Sequence, residues 1–91
     1  MAVTVKIPTQ LRAAAGGASQ AQVQGTSIRE VLDSLFDDFG ELRERISDTE
    51  GSLRRFVNVY VEGEDIRFLS GLDTPVRDGA EVTILPAVAG G

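Results

Sequence analysis

The chain reads as an α+β fold, a mixed sheet of four to five strands with one main helix packed across it. Three features predict this: alternating apolar residues near the start, an apolar stripe of helical period over residues 28–39, and a β-branched and aromatic run at 56–61. An amphipathic helix must cover its stripe, and in 91 residues the only apolar surface of comparable size is the inner face of the sheet. A chain this short holds one core and does not divide it.

Val3, Val5 and Ile7 alternate with Thr4 and Lys6, which puts the aliphatic side chains on one face of an opening strand that Pro8 ends. From Thr9 to Gly17, Leu11, the Ala13-Ala14-Ala15 run and the Gly16-Gly17 pair read as a loose turn. Ser19 to Gln24 then returns as a second strand, with Ala21 and Val23 inward and the glutamines outward. Its thin apolar content places it at an edge of the sheet.

The clearest helix follows, with Ser27 as N-cap and Glu30 three residues on completing a capping box. Ile28, Val31, Leu32, Leu35, Phe36 and Phe39 form its stripe, read as core, and Gly40 supplies the stop. Glu41 to Ile46 adds a short helical turn before the polar loop Ser47 to Ser52. Asp37, Asp38, Glu41, Arg43, Glu44 and Arg45 match no metal-ligand spacing and read as a solvated face.

Phe56 to Val61 is the strongest strand signal, with Val57, Val59 and Val61 turned to the helix. Phe56, Asn58 and Tyr60 then lie on the other side, either under the segment 47–55 or open to a partner. Glu62 to Asp65 reads as a turn, Ile66-Arg67-Phe68 as a short strand, Gly71 to Pro75 as a connection, and Asp78-Gly79 as a tight turn. Glu81 to Leu85 is the last strand, Val82 and Ile84 inward and Leu85 on the opposite face. This order is the β-grasp arrangement, in which the first and last strands are expected to be parallel central neighbours. It divides the chain into a domain, 1–85, and a flexible C-terminal tail, 86–91.

Composition excludes much. With no cysteine and no histidine the chain has no disulfide, thiolate nucleophile, imidazole base or common zinc ligand, so no metal site and no enzyme activity are expected. A net charge of −5 disfavours nucleic acid and favours a basic protein partner. No signal-peptide core and no membrane-length apolar run is evident, and a cytoplasmic protein without a membrane partner is the expectation.

What remains is the ending Pro86-Ala87-Val88-Ala89-Gly90-Gly91. Two glycines without side chains can thread a narrow channel, leaving the Gly91 carboxylate unhindered. Alone, such an ending reads more readily as a frayed terminus than as a site. Leu11-Arg12, Val59-Tyr60-Val61-Glu62-Gly63, Asp78-Gly79 and the closing Val82 to Gly91 together resemble the ubiquitin-like sulfur carriers, across the whole chain. These include the small subunit of molybdopterin synthase and the thiazole-pathway carrier. Arg55 to Val61 and Leu85 to Gly91 look in particular like the actinobacterial carriers of cysteine biosynthesis.

That resemblance implies that Gly91, with Gly90 before it, is the adenylation and thiocarboxylate site. It implies three partners: an adenylating and sulfurtransferase enzyme related to the ubiquitin-activating enzymes, a PLP-dependent cysteine synthase using O-phosphoserine, and a metalloprotease that releases cysteine. ATP with magnesium, zinc and pyridoxal phosphate would be bound by partners, and no cofactor by this chain. The alternatives are the molybdopterin synthase small subunit, a noncovalent binding module, or a protein modifier. Leu85, Pro86 and Phe68 are the candidate docking residues, being apolar residues expected near the reactive end or outside the core.

Overall fold

In the opening strand, β1 (Ala2–Lys6), Val3 and Val5 are fully buried and their neighbours are not, which is the alternation of a half-buried strand. The computed structural model describes residues 2–86. β1 pairs antiparallel with β2 (Gln20–Gln24), from Ala2 opposite Gln24 to Lys6 opposite Gln20. On its other side lies β5 (Glu81–Pro86), parallel, with Val5 opposite Val82. β3 (Val57–Val61) flanks β5 antiparallel, and the two-residue β4 (Glu64–Asp65) pairs with β3. The five-stranded order is β2-β1-β5-β3-β4, so the first and last strands are the expected parallel neighbours at the heart of a mixed β-grasp sheet.

One face of that sheet is covered by α1 (Ile28–Asp38), which buries Ile28, Val31, Leu32, Leu35 and Phe36 against it. Strand valines 3, 5, 23, 57, 59, 61 and 82, with Ile84, supply the opposing wall. Ser27 caps the helix, its hydroxyl accepting from the Glu30 N–H at 3.3 Å. The reciprocal arm differs from the usual box: Glu30 Oε1 accepts from both the backbone N–H and the hydroxyl of Thr26, each at 2.9 Å. Thr74 adds a further acceptor, taking the Ile28 N–H at 3.0 Å, so the helix start is tied to the loop that leads into β5.

Three details refine or correct the sequence reading, and a fourth decides between alternatives it left open. The stretch expected as a loose turn is a 3-10 helix, Thr9–Ala15, with buried Ala15 on its inner side and Gly16 closing it at φ 66°. The main helix does end beside Gly40, but the glycine is not its cap, and the short helical turn expected from Glu41 begins one residue earlier. Phe39 caps α1 with φ −134° and Gly40 opens α2 (Gly40–Ile46), because Leu42 and Ile46 continue the apolar periodicity into the core.

The third correction is at Ile66-Arg67-Phe68, which forms a 3-10 helix (Ile66–Phe68) and no strand; the strand is Glu64–Asp65, expected as part of a turn. Glu62 (φ 51°) and Gly63 (φ 87°) alone reverse the chain, the two left-handed residues that a type I′ hairpin turn requires. Pairing therefore resumes at once and ends at Asp65, whose carboxylate accepts the Arg67 N–H at 2.9 Å and starts the 3-10 turn. Lastly, the segment 47–55 folds back on α2, through the Ser47–Leu53 bridge and the Arg54 N–H to the Ile46 carbonyl at 2.9 Å, leaving Phe56 53% exposed.

Two predictions test these contacts. A methyl group at Gly25 would lie 2.7 Å from the Val31 nitrogen and 2.9 Å from its Cγ2, so Gly25→Ala is expected to cost about 1–3 kcal/mol. Gly40→Ala, where the added carbon meets nothing within 4 Å, should be neutral or stabilising by up to about 1 kcal/mol, both read by chemical denaturation.

The second concerns acid. The Thr26 N–H, and after it the Thr26 hydroxyl, hold the Glu30 carboxyl below the usual carboxylate range. A depressed folded-state value means that the unfolded chain protonates first. The contribution is therefore complete at neutral pH and is lost as pH falls from 4.5 through the folded value. Glu30→Gln should flatten stability against pH in that window, measured by urea denaturation at stepped pH.

Candidate functional site

The last described strand, β5, lies between β1 and β3, and its final residue, Pro86, is still paired, opposite Val57. Ala87, Val88, Ala89, Gly90 and Gly91 lie outside the described residues, so what can be built from geometry is the root of that ending.

Directly opposed residues in a ladder share a face. Leu85 opposes Asn58, and Thr83 opposes both Tyr60 and Lys6, so these side chains form the face turned away from the helices. Leu85 is 43% exposed there, while its neighbour Ile84 is 1% exposed in the core. Arg67 bridges the outer strands on this side, its guanidinium donating to the Asn58 side-chain oxygen and to the Asp65 carboxylate at 3.3 Å. Phe68, the next residue, is 87% exposed. Of the three docking candidates, the structure places Leu85 and Pro86 together at the root, and Phe68 beyond β3, on the far side from β5's other neighbour.

The strand ends beside β5 carry arginines. Arg12 Nε donates to the Ile7 carbonyl at 3.0 Å, one residue past the Lys6–Thr83 pair, and Arg54 Nε donates to the Glu44 carbonyl at 2.8 Å. Arg55 is exposed two residues before Val57. Among the described residues none of the three enters an ion pair, whereas Lys6, Arg29, Arg67 and Arg77 each face a carboxylate. Arg12, Arg54 and Arg55 thus put positive charge near the ends of the strands that flank β5, in a chain of net charge −5. Sequence reasoning missed this, noting Arg12 only within a pattern; the available signal was arginines placed where strands flanking the last one begin or end. No group of three or more acidic side chains among the described residues could hold a metal ion.

An exposed sheet face thus lies beside the last described strand. Comparison with known proteins places the chain in a family. The model of the ThiS family matches residues 5–91. The chain belongs to the ThiS family. It is 47% identical over 93 residues to the sulfur carrier protein CysO of Mycobacterium tuberculosis, with the whole of both chains covered. Among solved structures it is similar to a chain of the Amycolatopsis orientalis BexX/CysO complex, at 45% identity and a TM-score of 0.91, covering 98% of this chain and 99% of the other. A third likeness is the small archaeal modifier protein 1 of Methanosarcina acetivorans, 35% identical with a TM-score of 0.84, covering 99% and 96%. The ThiS family is the one that the motifs of the sequence resemble, and CysO carriers are among the relatives.

The alternation at the root gives a direct contrast. Ile84→Ala should cost about 2–5 kcal/mol by opening a cavity under α1, whereas Leu85→Ala and Phe68→Ala should stay within about 0.5–1 kcal/mol of the parent. Thermal denaturation of the three variants checks this; a large loss at Leu85 would mean that the open face is structural.

Proposed function

We propose that this chain is a sulfur carrier, the cosubstrate of partner enzymes, with the Gly91 carboxylate as its reacting group. The observation that carries the reading is the family match running through Gly91, together with full-length 47% identity to a sulfur carrier protein. The chemistry supports it. A carboxylate is a poor electrophile until one oxygen departs as part of a good leaving group. In the proposed cycle the Gly91 carboxylate attacks the α-phosphorus of ATP, with magnesium held by the adenylating enzyme, and pyrophosphate leaves. Sulfide then displaces AMP, and Gly91 ends as a thiocarboxylate, a soft nucleophile. Gly90 and Gly91 put no side chain between the acyl carbon and the walls of a partner's channel.

The acceptor in this reading is a pyridoxal-phosphate-dependent cysteine synthase that uses O-phosphoserine, after which a metalloprotease releases cysteine. Similarity to CysO favours that route over delivery to a pterin precursor. The pyridoxal chemistry belongs to the partner, since the single lysine here, Lys6, sits in β1 with its ammonium 3.5 Å from Glu81. A partner-bound working state is further supported by a solved relative occurring in complex with BexX. Use of ATP fits work in the cytoplasm, and no helix among the described residues is long and apolar enough to cross a membrane. Docking is assigned to Leu85 and Pro86 at the root, with Phe68 at the periphery.

Similarity to a small archaeal modifier protein favours one second reading, in which Gly91 is joined to lysines of other proteins. The two diverge in mass. With the cognate adenylating enzyme, ATP and sulfide, a carrier gains about 16 Da, sulfur for oxygen, confined to Gly91. A modifier instead adds the mass of this whole chain to a target lysine. Deleting Gly90 and Gly91 should abolish the sulfur exchange without moving the thermal midpoint, because the buried core among the described residues runs from Val3 to Ile84. Absence of the exchange with an enzyme active on another carrier would overturn the proposal.

A further inference from the structure

Sixteen consecutive residues, Ala13 to Ile28, carry no charge in a chain that is 25% charged, and the edge strand β2 lies inside that stretch. Edge strands are ordinarily guarded by lysine, proline or a bulge that prevents another strand from adding. β2 has none of these: its sequence is Gln-Ala-Gln-Val-Gln and its five pairs with β1 run in unbroken register.

The backbone parity of that edge can be read from the ladder. The Ile7 N–H donates to the Ser19 carbonyl at 2.9 Å, so Ser19, Ala21 and Val23 turn their backbone groups toward β1, and Gln20, Gln22 and Gln24 turn theirs outward. The Ser34 hydroxyl agrees with this parity, donating to the Gln24 carbonyl from outside at 2.7 Å. Beyond Gln20 and Gln22 no strand follows among the described residues, and both are exposed.

What lies alongside selects the occupant. Asp33 and Asp37 of α1, with Glu30, Gln24, Gly25 and Ser34, line a depression of about 420 Å³ next to the end of β2. Glu30 is engaged with Thr26, but Asp33 and Asp37 enter no ion pair among the described residues. A strand added to β2 would run beside these two carboxylates. A second copy of this chain, paired through its own β2 about a two-fold axis, would bring Asp33 and Asp37 against the same residues of its partner. An extended basic segment would neutralise them.

We propose that the outer edge of β2 receives an extended basic segment of a partner protein as a sixth strand, held by the backbone of Gln20 and Gln22 and by the Asp33 and Asp37 carboxylates. The alternate residues of that segment that face the helix would be arginine or lysine. This edge is distinct from the root of the C-terminal ending, so a partner bound here would leave β5 and the open sheet face accessible.

The test uses the whole chain, isotopically labelled, titrated with the peptide acetyl-Val-Arg-Val-Arg-Val-Arg-Val-amide. The Gln20 and Gln22 amides should shift saturably and become protected from solvent exchange, while a peptide with glutamate in place of arginine should leave them unmoved. The double variant D33N/D37N, changed only on the exposed side of α1, should weaken binding by about five- to tenfold. Gln22→Pro removes an outward donor that β1 does not use and should abolish protection; if it fails to fold, D33N/D37N carries the test alone. Equal binding of the acidic peptide, unchanged affinity of D33N/D37N, or shifts away from β2 would each overturn the proposal. Concentration-dependent shifts at β2 without peptide would overturn it too, by assigning the edge to a second copy.

Discussion

The parallel pairing of β1 with β5 is the constraint on which the rest of the molecule depends. Val5 and Val82 face each other across it, both fully buried, and nearly the whole chain intervenes between them. Parallel strands cannot be joined by a tight turn, so everything from Pro8 to Ala80 serves as the crossover that brings the second strand back alongside the first. That closure is paid in entropy before the long-range contact forms, and only a core that includes α1, α2 and β3 offsets it. The Thr74–Ile28 and Val76–Thr26 backbone bonds, at 3.0 and 2.9 Å, have the same logic: they tie the approach to β5 to the cap of α1, so that the helix and the last strand are positioned together.

The functional consequence follows from which strand is central. A terminus leaving an edge strand would carry the edge's freedom with it. Here the last described strand has β1 on one side as far as the Lys6–Thr83 pair and β3 on the other as far as the Val57–Pro86 pair. The body therefore fixes where the ending starts, as far as Pro86. Charge is divided in the same spatial sense, with Arg12, Arg54 and Arg55 about the root and Asp33 and Asp37 along the free side of α1. A net charge of −5 describes neither surface, and an argument about partners has to be made patch by patch.

Much of the fold was legible because burial imposes periodicity. The stripe from Ile28 to Phe36 and the alternation at Val57, Val59 and Val61 can be satisfied only by a helix and a strand facing one core, and the structure has both. What escaped was local chemistry without periodicity. The reversal at Glu62-Gly63 needs two left-handed residues, and glutamate does not advertise that conformation; Arg77 helps to hold it there, its Nε 2.8 Å from the Glu62 carboxylate. Gly40, by contrast, marked the end of α1 to within a residue, and Leu42 and Ile46 signalled the second helical turn that follows. At the candidate site, Leu85 and Ile84 were separable by alternation alone. The arginines about the root were not, since their meeting is set by the order of strands and by no spacing along the chain.

A diglycine ending carries almost no information of its own, since any channel wide enough for one such ending admits another. If Gly91 is the reacting group, discrimination between partners must come from the body, and from parts of it that stay in fixed register with the ending. The open face satisfies that requirement through Leu85, which is one residue from Pro86 and opposes Asn58, itself held by Arg67. Phe68 satisfies it less well, because it stands on a three-residue 3-10 turn beyond a two-residue strand and is only indirectly coupled to β5. On the proposed reading the physical weight of recognition falls on β5, so that a partner that seats Leu85 would also hold the start of the ending.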